Sequence, residues 1–300
     1  MGGVRAGPII AATVVGATLA GAALVLALRP WSTPPERSPT PTAVSASASR
    51  GAEPPDASTT GVPQGTALRR VDGLEVVRDG AVLDGLEIHG ELVIDADNVT
   101  VRNTRVVTPT ERYPVHVREG TRGALLEHIE VDNQNSSGKG IYFDGGSGTV
   151  RYADIHSAED GIAISADGVV IEHSYVHHLH RTSTSHNDAI QIRRGKDVVI
   201  RHNNLQAYND RTGDPMNAAI QIGSLVGDEP ITGLEVIGNL MNGGNVTVNG
   251  GGRGEVASAV YRDNRFGRDY RNAVAGNLEN STWDRSNVFD DDDEPVRGTP

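Results

Sequence analysis

From Asn98 onward, short runs of alternating apolar and mostly polar residues recur along the chain at long intervals. Val99-Thr100-Val101-Arg102-Asn103, Ala124-Leu125-Leu126-Glu127-His128, Val169-Val170-Ile171-Glu172-His173, Val198-Val199-Ile200-Arg201-His202 and Leu234-Glu235-Val236-Ile237-Gly238 share this form. Each is followed by a further apolar residue: Val106, Val131, Val176, Leu205 and Met241 in turn. With Val150 and Tyr261 added, the anchors Val101, Leu126, Val150, Ile171, Ile200, Val236 and Tyr261 stand 25, 24, 21, 29, 36 and 25 residues apart. A period of that length is one coil of a solenoid.

A second strand with a two-residue period falls inside each later interval. These strands are Gly140-Ile141-Tyr142-Phe143, Gly161-Ile162-Ala163-Ile164, Ala189-Ile190-Gln191-Ile192, Ala219-Ile220-Gln221-Ile222, Asn245-Val246-Thr247-Val248 and Asn272-Ala273-Val274. With no helical period between them, two or three short strands per coil predict an all-β chain folded as a right-handed parallel β-helix. A β-sandwich is the alternative, but it would separate its strands by hairpin turns every 8 to 12 residues or so. In the β-helical register Asn203, Asn239 and Asn264 share one column and are expected to hydrogen-bond one another at a corner. His128, His173 and His202 form a second polar column one residue earlier.

The ends have different patterns. Pro8 to Leu28 is a run of 21 uncharged, largely apolar residues between Arg5 and Arg29. As a helix it would reach about 30 Å, enough to cross a bilayer. It predicts a membrane anchor, or else a signal peptide cut after Val25-Leu26-Ala27, and either reading places the rest of the chain outside the cell. The expected organisation is therefore an N-terminal hydrophobic helix in 1–29, a disordered Pro/Ser/Thr-rich linker in 30–66, a β-helix in 67–289 and an acidic tail in 290–300. Asp290-Asp291-Asp292-Asp293-Glu294 opens that tail and is expected to be solvated.

Composition agrees with a coil of short strands and many turns. Aromatic residues are 4% of the chain, against 36 glycines in 300 residues. The absence of cysteine excludes disulfides, thiol nucleophiles and cysteine metal sites. A net charge of −12 argues against a nucleic-acid partner. Membrane contact is expected only through the N-terminal segment, and the folded part is expected to be monomeric.

The repeat Asn98-Val99-Thr100-Val101-Arg102-Asn103-Thr104-Arg105-Val106 and the segment Ser185-His186-Asn187-Asp188-Ala189-Ile190-Gln191-Ile192 resemble the secreted right-handed parallel β-helix proteins of the pectin-lyase-like superfamily, of actinobacterial type. The resemblance covers residues 72 to 277. It implies an extracellular protein acting on an acidic polysaccharide laid along one exposed sheet, and the superfamily also has non-catalytic members. The stacked signatures of polygalacturonases and the Trp-Ile-Asp-His block of pectate lyases are missing, so no catalytic residue is carried over from them.

Candidate chemistry comes from the register of the second strands. Lys139, Asp160 and Asp188 stand two residues before Ile141, Ile162 and Ile190, while Tyr142, Ala163, Gln191, Gln221 and Thr247 stand one residue after their anchors. Coils stack about 4.8 Å apart, so this reading expects a groove lined by Lys139, Tyr142, Asp160, Asp188, Gln191 and Gln221. His173, His177, His178, His180 and His186 crowd the approach to Asp188, with Arg181, Arg193 and Lys196 beside them. Imidazole exchanges protons near neutral pH, which suits general acid–base work.

β-Elimination of a uronic-acid polymer needs a group that neutralises the sugar carboxylate, a base for the C5 proton and an acid for the leaving oxygen. Gln191, Gln221 or Arg193 suit the first role, with Asp160 also placed against substrate. Lys139 or a histidine, His178, His180 or His186, suits the second, and Tyr142 the third. Calcium held by Asp160 and Asp188 is a further option for the first role. C5-epimerisation uses the same proton removal. Hydrolysis by two carboxylates on adjacent coils, with Asp188 as one of them, is the rival chemistry. Zinc at His177, His178 or His180 and a non-catalytic glycan-binding adhesin are the remaining readings.

Overall fold

The alternation along each run puts every second side chain on one face, and a face of Ile, Val and Leu must be buried. In the computed structural model, which describes residues 53–223, 230–252 and 254–299, this is achieved by coiling. The described residues form 24 strands and no helix, joined in one continuous sheet. Every strand-to-strand pairing is parallel. This all-β arrangement is consistent with a β-helix. The N-terminal helix and most of the linker expected in residues 1–66 lie outside the described residues.

From Lys139 onward each strand pairs with the third strand after it, which gives three ladders. The first holds Lys139–Phe143, Asp160–Ser165, Asp188–Arg194, Ala218–Ile222, Val246–Asn249 and Ala273–Gly276. The second holds Gly148–Arg151, Val170–Glu172, Val199–Arg201, Leu234–Ile237, Ala259–Arg262 and Ser281–Trp283. The third holds Asp154–His156, Tyr175–His177, Asn204–Ala207, Leu240–Gly243, Arg265–Phe266 and Val288–Phe289. The core is built of inward columns such as Ile141, Ile162, Ile190, Ile220 and Val248, all fully buried. The register places Asn249 beside Gln221, so the outward column continues through Asn249 and not through Thr247, which is buried.

The corner between the second and third ladders repeats a left-handed residue at Asn103, His128, Tyr152, His173, His202, Gly238 and Asp263, with φ between 49° and 65°. Four of these are rings, and His128, Tyr152, His173 and His202 stack with centroids 4.8, 5.4 and 5.3 Å apart. The next position carries the asparagine column. Asn203 Nδ2 donates to Asn239 Oδ1 at 3.0 Å, Asn239 Nδ2 to Asn264 Oδ1 at 3.1 Å and Asn264 Nδ2 to Asn287 Oδ1 at 2.9 Å. Asn287 extends the expected column by one coil.

Two segments expected to be free chain are packed instead. Pro55 O accepts from Asn204 Nδ2 at 2.8 Å and the Gly61 amide donates to Tyr152 O at 2.8 Å, so residues 53–61 run along the third ladder. The acidic run is exposed to solvent, as expected, but it is tied down and not free. Arg265 pairs with Asp290 and Asp293, and Arg268 with Asp291 and Asp292, at 2.6 to 2.7 Å. Val296 is buried and its carbonyl accepts from Trp283 Nε1 at 2.8 Å, so the chain folds back over the end of the last coil.

Candidate functional site

The groove expected from the sequence divides in two. Lys139, Asp160 and Asp188 do occupy adjacent coils: Asp160 is in register with Lys139, and Ile162 with Ile190. They do not line an open surface, for Asp160 is 1% and Asp188 0% exposed. The corner breaks the alternation: a side chain at Gly140 or Gly161 would meet the core residues Ile155 and Val176, and Asn217 Nδ2 reaches both Asp188 and the outward Gln221, so the two carboxylates are buried beside the outer face and not in the apolar core. Lys139 Nζ pairs with Asp160 Oδ2, and Asp160 Oδ1 accepts the Asp188 amide at 3.0 Å. Asp188 Oδ1 accepts from Asn217 Nδ2 at 2.7 Å, and Asp188 Oδ2 has no partner.

Burial pushes the Asp160 carboxyl up, against the pull of Lys139. Burial and the neighbouring charge of Asp160 push Asp188 well above the carboxylate range, against the Asn217 hydrogen bond. Both carboxyls are enclosed, whereas Lys139 keeps 23% of its side chain exposed. Both Asp160 oxygens are engaged, by Lys139 and by the Asp188 amide. No cluster of three or more His, Asp or Glu able to hold a metal occurs among the described residues, zinc at His177, His178 and His180 included.

The outer face of the first ladder carries the other part of the expected groove. His116, Tyr142, Ala163, Gln191, Gln221 and Asn249 follow one another coil by coil. Tyr113, His116 and Tyr142 form a ring cluster with centroids 4.5 to 5.7 Å apart. Tyr142 donates to Asp144 Oδ1 at 3.2 Å, and burial raises its pKa, which makes it a poor proton donor to substrate. Gln221 Oε1 accepts from Asn249 Nδ2 at 3.1 Å and from Asn217 Nδ2 at 3.3 Å. Gln191 and Arg193 lie half-buried on this face.

The loop histidines meet in a separate place. A cleft of about 700 Å³ opens where the loops leaving the third ladder, 178–187 and 208–217, rise over its end. His156, His177, His178, His180, Arg181, Arg211 and Asp214 line it. His177 Nε2 is 2.7 Å from Asp154 Oδ1, and its ring stacks on Tyr175 at 4.0 Å. The two Nδ1 atoms of His177 and His178 face each other, and His178 Nε2 is 2.9 Å from Asp210 Oδ1. Burial, His177 and Arg211 lower the His178 pKa, so that ring stays neutral.

His156 behaves oppositely. Burial opposes its charge, but the surrounding carboxylates of Glu130, 3.9 Å away, Asp154 and Asp132 prevail and raise its pKa. Arg181 is paired with Asp214 at 3.0 Å, whereas the Arg211 guanidinium makes no ion pair and the His180 ring no hydrogen bond among the described residues. Asn187, fully buried, anchors the first loop by donating to Glu159 O at 2.8 Å and His180 O at 2.5 Å. His186 is exposed and does not line the cleft.

His178 and His180 are thus brought together with His156, Arg211 and Asp214, which sequence reasoning missed. The two longest coil intervals, 29 and 36 residues, contain the loops that form the cleft and were the available signal. The fold and the cleft define the class of protein as an all-β parallel solenoid with a histidine-rich polar cleft at the loop end of one ladder. No family model, no curated protein and no solved structure matches the chain.

Proposed function

We propose that this chain is an extracellular carbohydrate-active protein on a right-handed parallel β-helix, and that it cleaves an acidic polysaccharide by β-elimination in the histidine cleft. The observation that carries the reading is the meeting of His156, His180 and Arg211 in one cleft. Nearby carboxylates raise the His156 pKa, and among the described residues the His180 ring makes no hydrogen bond and the Arg211 guanidinium no ion pair. An imidazole whose charged form is favoured suits the acid role, and an unengaged one the base.

Arg211 receives the uronate carboxylate and stabilises the charge that develops on it. His180 removes the C5 proton, the electron pair forms the C4–C5 double bond, the C4–O bond breaks and His156 protonates the departing oxygen. Neutral His178 adds no competing charge beside Arg211. The ring cluster and amides on the outer face of the first ladder favour a second reading, a glycan-binding module without catalysis.

The test is a screen of the purified chain against uronate polymers and neutral glycans, following ultraviolet absorbance of unsaturated ends together with reducing sugar. Cleavage with the chromophore is expected, and His180→Ala or His156→Ala should lower kcat by roughly 10²- to 10⁴-fold. Activity should fall on the alkaline side as His156 loses its proton. The raised pKa of His156 places the alkaline limb above the ordinary imidazole range. Reducing ends without the chromophore would mean hydrolysis, and retained binding without cleavage would leave the glycan-binding reading.

A further inference from the structure

The two ends of the solenoid are finished differently. At the C-terminal end residues 290–299 fold over the last coil, with Val296 buried and the Asp290–Asp293 run held by Arg265 and Arg268. At the N-terminal end the strands Arg69–Val76 and Val82–Asp84 each pair on one side only. Their other edge presents backbone N–H and C=O groups with no partner strand, an arrangement that invites pairing with another chain. The two large apolar side chains left exposed among the described residues, Val77 at 71% and Val82 at 56%, both lie in this coil. Val71, Leu74 and Leu83, at the same end, are only partly buried against the core.

We infer that this end docks head to head with a second copy of the chain, the two Arg69–Val76 strands pairing antiparallel about a two-fold axis, in place of the monomer that the sequence suggests. Charge complementarity argues for this occupant. An antiparallel pairing centred between Asp72 and Gly73 sets Arg70 opposite Glu75 of the second copy and Val71 opposite Leu74, and the two-fold axis repeats both contacts. Gly73 also marks the register shift at which the strand turns from one face to the next. A two-fold axis through that corner lays the leg before Gly73 on the leg after it in the other copy.

The chain has no cysteine, so single introduced cysteines report contacts without a background. In the full chain, kept in mild detergent, Asp72→Cys should form a covalent dimer on oxidation, and Arg297→Cys at the opposite end should not. Arg70→Glu should weaken the Asp72→Cys dimer several-fold, and adding Glu75→Arg should restore it, because the exposed Glu75–Arg118 pair that this removes contributes little. Sedimentation of the cysteine-free chain should show a concentration-dependent dimer that Val77→Asp abolishes. Equal cross-linking from both ends, no cross-link at residue 72, or insensitivity to Arg70→Glu would overturn the proposal. Protection of the Arg69–Val76 amides from hydrogen exchange in a monomer would overturn it too, by showing that the chain covers its own edge.

Discussion

Asp188 shows how one side chain is decided by its neighbours. Its amide is fixed by Asp160 Oδ1 and one of its oxygens by Asn217, while the other oxygen is buried without a partner. Its folded-state pKa lies above the unfolded value, so proton binding stabilises the fold fully below the unfolded pKa, and that contribution is lost as pH rises through the folded one. At neutral pH a buried negative charge opposes folding. Asp188→Asn is therefore expected to be more stable than the parent at neutral pH by an amount on the order of 1 kcal/mol, and the advantage should shrink on acidification. Denaturant melts across a pH series check this, and a variant less stable at neutral pH would refute it. The sequence shows that Asp160 and Asp188 align. It does not show that they are buried, because the residues that cover and engage them, such as Asn217, come from loops without a period.

Among elements, the asparagine column is the most constrained. Asn239 Oδ1 accepts both the Asn203 amide and its Nδ2 at 3.0 Å, while Asn239 Nδ2 donates to Ile200 O at 2.9 Å and to Asn264 at 3.1 Å. Asn239→Ala leaves a buried amide and a buried carbonyl unpaired, so a loss of about 2 to 4 kcal/mol is expected in urea denaturation. Asn249→Ala, on the outer face, should cost less than about 1 kcal/mol. The column was legible because three asparagines recur three residues after an apolar anchor. Asn287 was not, since its coil is closed by Trp283 and the chain returning through Val296, and the repeat is blurred there. The anchoring of the acidic run was missed for a related reason: five successive acids resemble a free tail until Arg265 and Arg268, on the coil beneath, are placed against them.

Across the whole molecule, charge sets the approach of a partner. The chain carries −12 overall, while the cleft presents Arg181 and Arg211. At low salt the Debye length is about 30 Å and the net charge repels a polyanion, whereas at about 0.1 M it is near 10 Å and the local cations act alone. The KM for a uronate polymer is therefore expected to fall as salt rises from very low values, and that for a neutral glycan to stay constant. A KM that rises with salt from the start would place the binding surface elsewhere.

The coil period, the parallel stacking of its strands and the inward column from Ile141 to Ile220 were determined by the sequence alone, because a two-residue alternation repeated at coil spacing permits few other ways to bury Ile, Val and Leu. Which polar residues share a cavity was decided only by the tertiary structure. Loops 178–187 and 208–217 carry no period. Their course follows from single contacts such as Asn187 to His180 and Arg181 to Asp214, so the meeting of His156, His180 and Arg211 is set by three-dimensional neighbours far apart in the chain.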